Sequence, residues 1–444
     1  MTTWYVDLSH SYDGTQAHTG QGSGSAWGGP AGAQRAVAAA AAGDTILLIN
    51  AAPPEDNVPL TSLIKIPVAS TTGMDPGDLL TNQSQAGQAR IAVVATDDYV
   101  LAEYLSGGFA PGHTVTPDGG ATTTTVDAMP SYCGLQVLGE FAADGTAAAP
   151  ITLRGVASDG ATPQRAYLDG MSVCDCLTID ALSYWRFDHL QLHRAGAYGL
   201  NGIGGECGDG CVFTHVTADL AGVHAFNNMN LLRHTLMIDC AGVDATLEGM
   251  HYSPIGGALL GCRLTGNGSY GIFHAADLTC YACVLAGNGG PGIDLEGGAF
   301  VGVFHGVLDG NPVGAYAASA TSMLALIANR LTNNDDYGAW ATGAAVWSDY
   351  NVYYGNGAAP SLNITHGEND HGPAGSGLPH EDVDDDGYVN RAGGDYRLAD
   401  DAVGRRLALP VGSLTARLAA GLTPDDPPGH DHEVSFHEHE VTFP

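Results

Sequence analysis

The chain has 444 residues, 44% of them apolar, so it can bury a core in one large domain or in two to three smaller ones. Its 48 acidic and 15 basic residues give a net charge of −33, which disfavours nucleic acid and anionic membranes as partners. It also disfavours polyanionic substrates, unless a local basic groove or bound cations compensate.

The opening MTTWYVDLSH lacks the basic and apolar regions of a secretory signal. The longest apolar run, residues 36–49, is interrupted by Gly43 and Asp44 and is too short to cross a bilayer. We therefore expect no membrane insertion. Because the numbering begins with Met1, we also expect a protein made without this export route; a leader removed before numbering is the alternative.

Residues 1–52 are predicted to form a strand, a Gly-rich loop, a helix and the first rung of a repeat. Pro30 suits a first helical turn, the run Ala36 to Ala42 favours helix, and Gly43 ends it. This helix is expected to cover the open end of a stack of strands. Residues 53–140 then alternate short β-rich runs with Gly, Pro and Asp turns, which predicts an inserted β module. An insertion of this size is usually a functional or docking element.

A Leu-x-x-Asn pattern recurs through the next segment, residues 141–358. Its asparagines are separated by 21, 23, 23 and 22 residues and are Asn267, Asn288, Asn311, Asn334 and Asn356. Degraded copies extend upstream, giving about eight rungs over residues 185–356. A leucine-rich repeat has a similar period, but the apolar positions here are nearly adjacent and the turns are Gly-rich. The pattern predicts a parallel β-helix about 40 Å long, with rungs stacked about 4.8 Å apart and the asparagines in a ladder.

The stacking also predicts that two of the nine cysteines, Cys262 and Cys283, are neighbours in adjacent rungs. A pair of buried thiols is the simpler interpretation, and a disulfide or metal link is the alternative. A second group, Cys174, Cys176, Cys207 and Cys211, has gaps of one and three residues, whereas zinc sites prefer two.

The segments GSGSAWGGPAGAQRAVAAAAAGDTILL and APITLRG, with the asparagine-bearing rungs, resemble the right-handed parallel β-helix proteins of the pectate-lyase-like superfamily. The resemblance covers residues 1–52 and about 141–400. It implies an all-β, right-handed, single-stranded parallel β-helix. It says little of function, because this superfamily includes polysaccharide lyases, hydrolases, epimerases, surface proteins and phage tailspikes.

Glycoside hydrolysis needs two carboxylates that face one groove. The acidic candidates on the rungs are Asp244, Glu248, Asp277, Asp294, Glu296 and Asp309. Asp294 and Glu296 alternate on one strand and are the preferred pair, about 6.5–7 Å apart by strand rise. A lyase needs instead a basic side chain beside a cation or an arginine, for which Arg233, Arg263 and His305 are the candidates.

The C-terminal end of the β-helix, residues 359–427, contains DVDDDGYVN. Its Asp382, Asp384 and Asp386 resemble the start of an EF-hand Ca²⁺ loop, although Gly393 replaces the final acid. The tail, residues 428–444, contains two strand-like His-x-His pairs, His430/His432 and His437/His439. In a homotrimer these pairs would surround one axis as a metal site, which resembles the iron sites of phage tail tips; a solvated, charged edge is the alternative.

Three functions follow from these features. The preferred function is that of a phage virion protein: a spike, fibre or decoration protein that contacts host glycan. This function accounts for the missing leader, the inserted module and the tail. An extracellular glycoside hydrolase or lyase is the first alternative, and a bacterial surface adhesion protein is the second. No cofactor is required in any of them.

Overall fold

The computed structural model describes residues 1–8, 27–49, 58–59, 63–95, 99–118, 122–180, 182–203, 208–295, 297–380, 383–393 and 395–398. These residues form a parallel β-helix whose rungs contribute one strand to each of three long sheets. The predicted parallel β-helix with an N-terminal helix is confirmed. None of the helices among the described residues is long and apolar enough to cross a membrane.

The first sheet has 12 strands, in spatial order Trp27–Gly28, Thr3–Asp7, Thr45–Ile49, Ile151–Val156, Trp185–Asp188, Val212–Thr214, Leu236–Ile238, Gly257–Leu260, Leu278–Tyr281, Phe300–Phe304, Met323–Ile327 and Ala345–Asp349. The second has 10, Val58–Pro59, Ala166–Asp169, Leu190–His193, Thr217–Asp219, Ala241–Val243, Arg263–Thr265, Val284–Ala286, Val307–Asp309, Arg330–Thr332 and Val352–Tyr354. The third also has 10, Leu135–Leu138, Leu177–Asp180, Tyr198–Ile203, His224–Asn227, Met250–His251, Ile272–Ala275, Ile293–Leu295, Val313–Ala317, Tyr337–Ala341 and Ala359–Leu362.

The core lies between the three sheets and is continuous along the stack. Each rung places its apolar residues above those of the previous rung, so that Leu264 pairs with Leu285 and Leu285 pairs with Leu308. The α-helix Gly29–Ala39 begins with Pro30 in its first turn and buries Ala33, Ala36 and Val37 against this core. It therefore covers apolar surface that the first rung leaves open.

The corner between the first and second sheets is made by a single residue in the left-handed conformation. This residue has φ from 50° to 65° in eight successive rungs, at His189, His215, Asp239, Gly261, Ala282, His305, Ala328 and Tyr350. A left-handed residue reverses the chain sharply and costs an L-residue about 1–2 kcal/mol. The corner geometry therefore places side chains of successive rungs, including three histidines, in one column.

The segment between the first two rungs forms a seven-stranded antiparallel sheet. In spatial order its strands are Thr124–Thr125, Thr114–Pro117, Leu79–Asn82, Gly87–Val94, Tyr99–Ser106, Leu63–Pro67 and Ser131–Tyr132. It has its own apolar cluster, which includes Ile66, Leu80 and Ile91. The boundaries of the five segments proposed from the sequence stay predictions.

Short elements complete the fold. Gly208–Asp209 pairs with Leu232–Arg233, and 3₁₀ turns in the described part of the chain lie at Met229–Leu231 and Arg391–Gly393. The antiparallel hairpin of Tyr388–Asn390 and Asp395–Leu398 returns to the second sheet. It is fixed there by Arg391, whose Nε donates to Asp309 Oδ2 at 2.6 Å, and by Tyr388, which packs on Val284 and Val307.

Candidate functional site

Two clusters of histidine and acid stand out on the upstream rungs. The first, the corner cluster, consists of Asp188, His189 and His215. Its carboxylate is fully engaged, because Asp188 accepts from His189 Nδ1 at 2.6 Å and from Arg154 Nε at 2.7 Å. The rings of His189 and His215 lie 4.3 Å apart. Burial alone would raise the pKa of Asp188, but the contacts with His189, Arg154 and His215 outweigh it and lower that pKa. We regard this cluster as a structural ion-pair network.

The second cluster consists of His224, Glu248 and His251, and its histidines lie on two neighbouring strands in the middle of the third sheet. His224 and Glu248 are buried, and the side chain of His251 is 21% exposed. His224 Nδ1 contacts Glu248 Oε2, and His251 Nδ1 lies 3.7 Å from the same oxygen. The two imidazole rings stack 4.4 Å apart. Three potential ligand atoms of two neighbouring rungs therefore meet at one point.

These three atoms differ from those of the corner cluster in their hydrogen bonding. Within the described part of the chain, the two Nδ1 atoms and Glu248 Oε2 contact one another and have no other hydrogen-bond partner. Leaving a buried polar atom unsatisfied costs about 1–3 kcal/mol. Two imidazole nitrogens and one carboxylate oxygen are a donor set that suits Zn²⁺ and similar transition metals, with positions left open for a substrate. The residues present therefore fit a divalent cation.

Electrostatics keep this cluster suited to a cation. Burial would raise the pKa of Glu248, but the contacts with His224 and His251 outweigh it, so the pKa is lowered and the carboxylate is ionised at neutral pH. Burial and the nearby His224 lower the pKa of His251, which favours its neutral, metal-binding form.

Half-buried aromatic rings surround the cluster. Tyr198 stacks on His224 with a centroid distance of 5.5 Å, and Phe273 lies 5.4 Å from His251. Tyr252 packs edge-on against His251 at 4.3 Å and stacks on His274 at 4.8 Å. We call this surface the histidine–aromatic face: Tyr198, His224, Glu248, His251, Tyr252, Tyr270, Phe273 and His274. Partly exposed rings of this kind provide flat apolar area beside polar groups.

The acids singled out from the sequence lie in different surroundings. Glu248 belongs to the histidine–aromatic face, and Asp309 holds the C-terminal hairpin through Arg391. Asp294 is only 3% exposed, so it does not lie on an open sheet face. Glu296 lies outside the described residues, so the proposed pair of Asp294 and Glu296 stays a prediction.

The metal sites proposed at the C-terminal end are only partly described. Asp384 is exposed, and Asp386 accepts from Asn333 Nδ2 and from the Tyr388 backbone N–H, both at 3.3 Å. Asp382 lies outside the described residues, as do His430, His432, His437 and His439. Among the described residues, Asp384 and Asp386 belong to neither cluster of three potential metal ligands.

The five ladder asparagines stack in successive rungs. Each side-chain amide donates to the Oδ1 of the next, at 2.9, 3.0, 3.4 and 2.9 Å from Asn267 to Asn356. Each Nδ2 also donates to a carbonyl of the rung before, as Asn311 does to Leu285. Every amide in the interior of the ladder is thus satisfied, and this column serves the fold.

Cys262 and Cys283 are buried free thiols in one column with Cys240. Each thiol donates to a carbonyl of the preceding rung, Cys283 to Leu259 at 3.3 Å and Cys262 to Met237 at 3.4 Å. Burial raises the pKa of all three thiols well above its usual value. Cys174, Cys176 and Cys211 are also buried and free, and Cys207 lies outside the described residues.

His224 and His251 were not identified from the sequence, although a signal exists. Histidines recur at intervals close to one rung, with 26 residues from His189 to His215 and 27 from His224 to His251. Glu248 was recognised only as a single acid. The longer and variable upstream rungs hide the register that brings it between the two imidazoles.

No family model and no curated protein matches this chain. Solved structures with a similar fold include the pectate lyase Pel9A, with 13% identity over 93% of this chain and 88% of that one and a TM-score of 0.43. A rhamnogalacturonan lyase has 12% identity over 94% of this chain and 98% of that one, with a TM-score of 0.40. An alginate lyase from Paenibacillus has 13% identity over 76% of this chain and 96% of that one, with a TM-score of 0.36. These likenesses concern the fold, and the similarity to phage tailspikes stays a prediction.

Proposed function

We propose that the protein binds and cleaves a polysaccharide on the histidine–aromatic face. The observation that carries this proposal is the convergence of His224 Nδ1, Glu248 Oε2 and His251 Nδ1, three atoms whose only polar contacts among the described residues are with one another, in a surface of partly exposed rings. Sugar rings present flat C–H faces that pack on aromatic side chains, and the histidines and acid provide groups for chemistry beside them.

The reaction class that fits this site is β-elimination from a uronate-containing chain. The cluster has one carboxylate and two imidazoles, whereas a glycoside hydrolase uses two opposed carboxyl groups. A divalent cation held by His224, Glu248 and His251 would neutralise the uronate carboxylate and so acidify the neighbouring C–H. It would also offset the repulsion that a net charge of −33 exerts on a polyanion.

His274 is the candidate proton acceptor for this elimination. Its ring lies 6.2 Å from that of His251 and is half-buried on the same face, where it stacks on Tyr252. The imidazole side chain is the commonest general base in enzymes, and a neutral ring nitrogen can take up the proton that the elimination releases. General-base catalysis of this kind contributes about 10²–10⁴-fold to a rate.

The test is to incubate the full chain with pectate, alginate and a neutral glucan, with Zn²⁺, Mn²⁺ or a chelator, and to follow the unsaturated uronate product by its ultraviolet absorbance. We expect cleavage of a polyuronate that chelation abolishes, and a loss of about 100-fold or more in Glu248→Gln and His274→Ala. His189→Ala, in the corner cluster, is the matched control and should retain activity. Absence of cleavage on every substrate, or full activity in Glu248→Gln, would overturn the proposal.

A structural role on a phage virion is the second candidate, favoured by the His-x-His pairs of the tail. In that role the same face would bind host glycan without cleaving it, and the chain would form a homotrimer with other virion proteins docked on the inserted module or tail. Light scattering of the full chain beside a version that ends at Pro428 tests it. A trimer that becomes a monomer without the tail supports this role, and a monomer in both cases contradicts it.

A further inference from the structure

A hydrogen-bonded chain of serine, histidine and aspartate lies at the last rung, far along the sequence from the histidine–aromatic face. Ser361, in the final strand of the third sheet, is 2.8 Å from His366 Nε2 through its Oγ. His366 Nδ1 is 2.8 Å from Asp370 Oδ2. These distances are those of a nucleophile, a base and a group that orients the base.

The position of Asp370 follows from the repeat. Asn329 and Asn351 form a second column of stacked amides, in which Asn329 Nδ2 donates to Asn351 Oδ1 at 3.0 Å. Asp370 occupies the next position, and its Oδ1 accepts from the Asn351 backbone N–H at 2.8 Å. If residue 370 were an asparagine, its side-chain NH₂ group would lie where Asp370 has Oδ2. The carboxylate presents an oxygen instead, Oδ2, which accepts from Ser348 Oγ at 2.6 Å and from His366.

This arrangement fixes the tautomer of His366. An ionised carboxylate only accepts hydrogen bonds, so the proton of the neutral imidazole must lie on Nδ1. Nε2 is then the acceptor, and the hydroxyl of Ser361 donates to it. Burial would raise the pKa of Asp370, but its bonds with His366, Ser348 and Asn351 outweigh burial and lower it, so the carboxylate is ionised at neutral pH.

The solvent exposure of the three side chains decreases from the serine to the histidine to the aspartate, as acyl transfer requires. Ser361 is half-buried, the side chain of His366 is 18% exposed, and that of Asp370 is 0% exposed. Tyr353 is buried and packs edge-on against the His366 ring at 5.1 Å, which limits its rotation. The nucleophile can therefore be reached from solvent, while the aspartate is shielded from it.

We propose that Ser361, His366 and Asp370 form a second active site, which hydrolyses a carboxylic ester. Ser361 Oγ attacks the ester carbonyl carbon while its proton passes to His366 Nε2. The C–O bond to the alcohol then breaks, and His366 returns the proton to the departing alkoxide. Water then gives a proton to His366 Nε2 as its oxygen bonds to the acyl carbon, the bond between that carbon and Ser361 Oγ breaks, and His366 returns the proton to Ser361 as the carboxylic acid leaves. Asp370 positions His366 and stabilises its protonated form. This activity is independent of the glycan cleavage proposed above.

The chain offers a sharp test, because Asp370→Asn preserves an oxygen for the Asn351 column while removing the acceptor for His366. The full chain is treated with a fluorophosphonate probe, the adduct is located by peptide mass spectrometry, and hydrolysis of p-nitrophenyl acetate is measured in parallel. We expect an adduct on Ser361 that is absent in Ser361→Ala, and ester hydrolysis reduced about 100-fold or more in Ser361→Ala, His366→Asn and Asp370→Asn.

Ser376→Ala, a nearby serine outside the hydrogen-bonded chain, is the matched control and should retain both labelling and hydrolysis. Thermal unfolding of each variant confirms that the fold is kept. No adduct on Ser361 in the unaltered protein, or equal hydrolysis by that protein and Asp370→Asn, would show that the three residues serve only as a polar end to the core, and would overturn the proposal.

Discussion

The asparagine ladder and the histidine–aromatic face use the same device, the stacking of similar side chains on successive rungs, with opposite results. In the ladder, Asn288 and Asn311 donate to the next amide and to a carbonyl of the rung before, so their polar atoms are satisfied. On the face, His224 and His251 stack at 4.4 Å, and both Nδ1 atoms turn to a single oxygen, Glu248 Oε2. Stacking satisfies the polar groups of the core in the first case, and in the second it gathers the groups of the proposed cation site.

Breaking the ladder in its middle should give the largest effect on stability. Asn311→Ala removes the acceptor of the Asn288 side chain and backbone N–H and the donor to Leu285, all of them buried. With about 1–3 kcal/mol for each buried group left unsatisfied, we expect a loss of about 4 kcal/mol. Urea unfolding followed by circular dichroism measures it. The exposed control Thr72→Ala should change stability by less than about 0.5 kcal/mol, and an equally small effect in Asn311→Ala would show that the ladder contributes little.

Zn²⁺ should stabilise the protein through the cluster on the histidine–aromatic face and not through the corner cluster. If His224, Glu248 and His251 hold Zn²⁺, a free concentration 100 times the dissociation constant stabilises the protein by about 2.7 kcal/mol. We expect the melting temperature to rise with Zn²⁺ in the unaltered protein and in His189→Ala, but not in His251→Ala. A rise that persists in His251→Ala and disappears in His189→Ala would place the cation in the corner cluster instead.

The thiols and the second set of amides belong to one column, five residues before each ladder asparagine: Cys262, Cys283, Gly306, Asn329 and Asn351. This column allows a smaller comparison. Cys262 and Asn329 each donate to a carbonyl of the preceding rung, at 3.4 and 2.8 Å, but the thiol is a weak donor and the amide also binds its neighbour. We expect Cys262→Ala to cost about 1 kcal/mol and Asn329→Ala about 3 kcal/mol in chemical unfolding. Equal losses would show that packing alone decides this column.

The smallest expected effect is on the pH dependence of stability. The pKa of Asp370 is lowered in the folded protein, so the carboxylate contributes stability above its unfolded pKa of about 3.9. That contribution is lost as the pH falls below this value towards the folded pKa. Asp370→Asn should therefore flatten the acid side of the stability profile below about pH 4, measured by unfolding at fixed ionic strength. An unchanged acid slope would contradict the hydrogen-bonded role of the carboxylate.

The regular rungs could be predicted from the sequence because one signal repeats in them. A buried amide in each rung and a left-handed turn before it, as at Gly266 with φ of 69°, leave the same letters every 21 to 23 residues. The site could not, because its function depends on a single exception to the repeat. His224 and Glu248 sit on longer rungs of variable length, and Asp370 follows Asn351 after only 19 residues. Their proximity depends on the register of the stack.

The second amide column also has a direction. The N–H groups of Asn329 point to the oxygen of Asn351, and those of Asn351 point to Asp370, so the amide dipoles add head to tail. Their positive end meets a carboxylate, as the amino end of an α-helix meets an anion, although no helix is present in this column. Two stacked side-chain amides of a β-helix can thus act together as a small dipole. Here the Asn351 backbone N–H at that same end donates to Asp370, and this bond contributes to the lowered pKa of the carboxyl group that contacts His366.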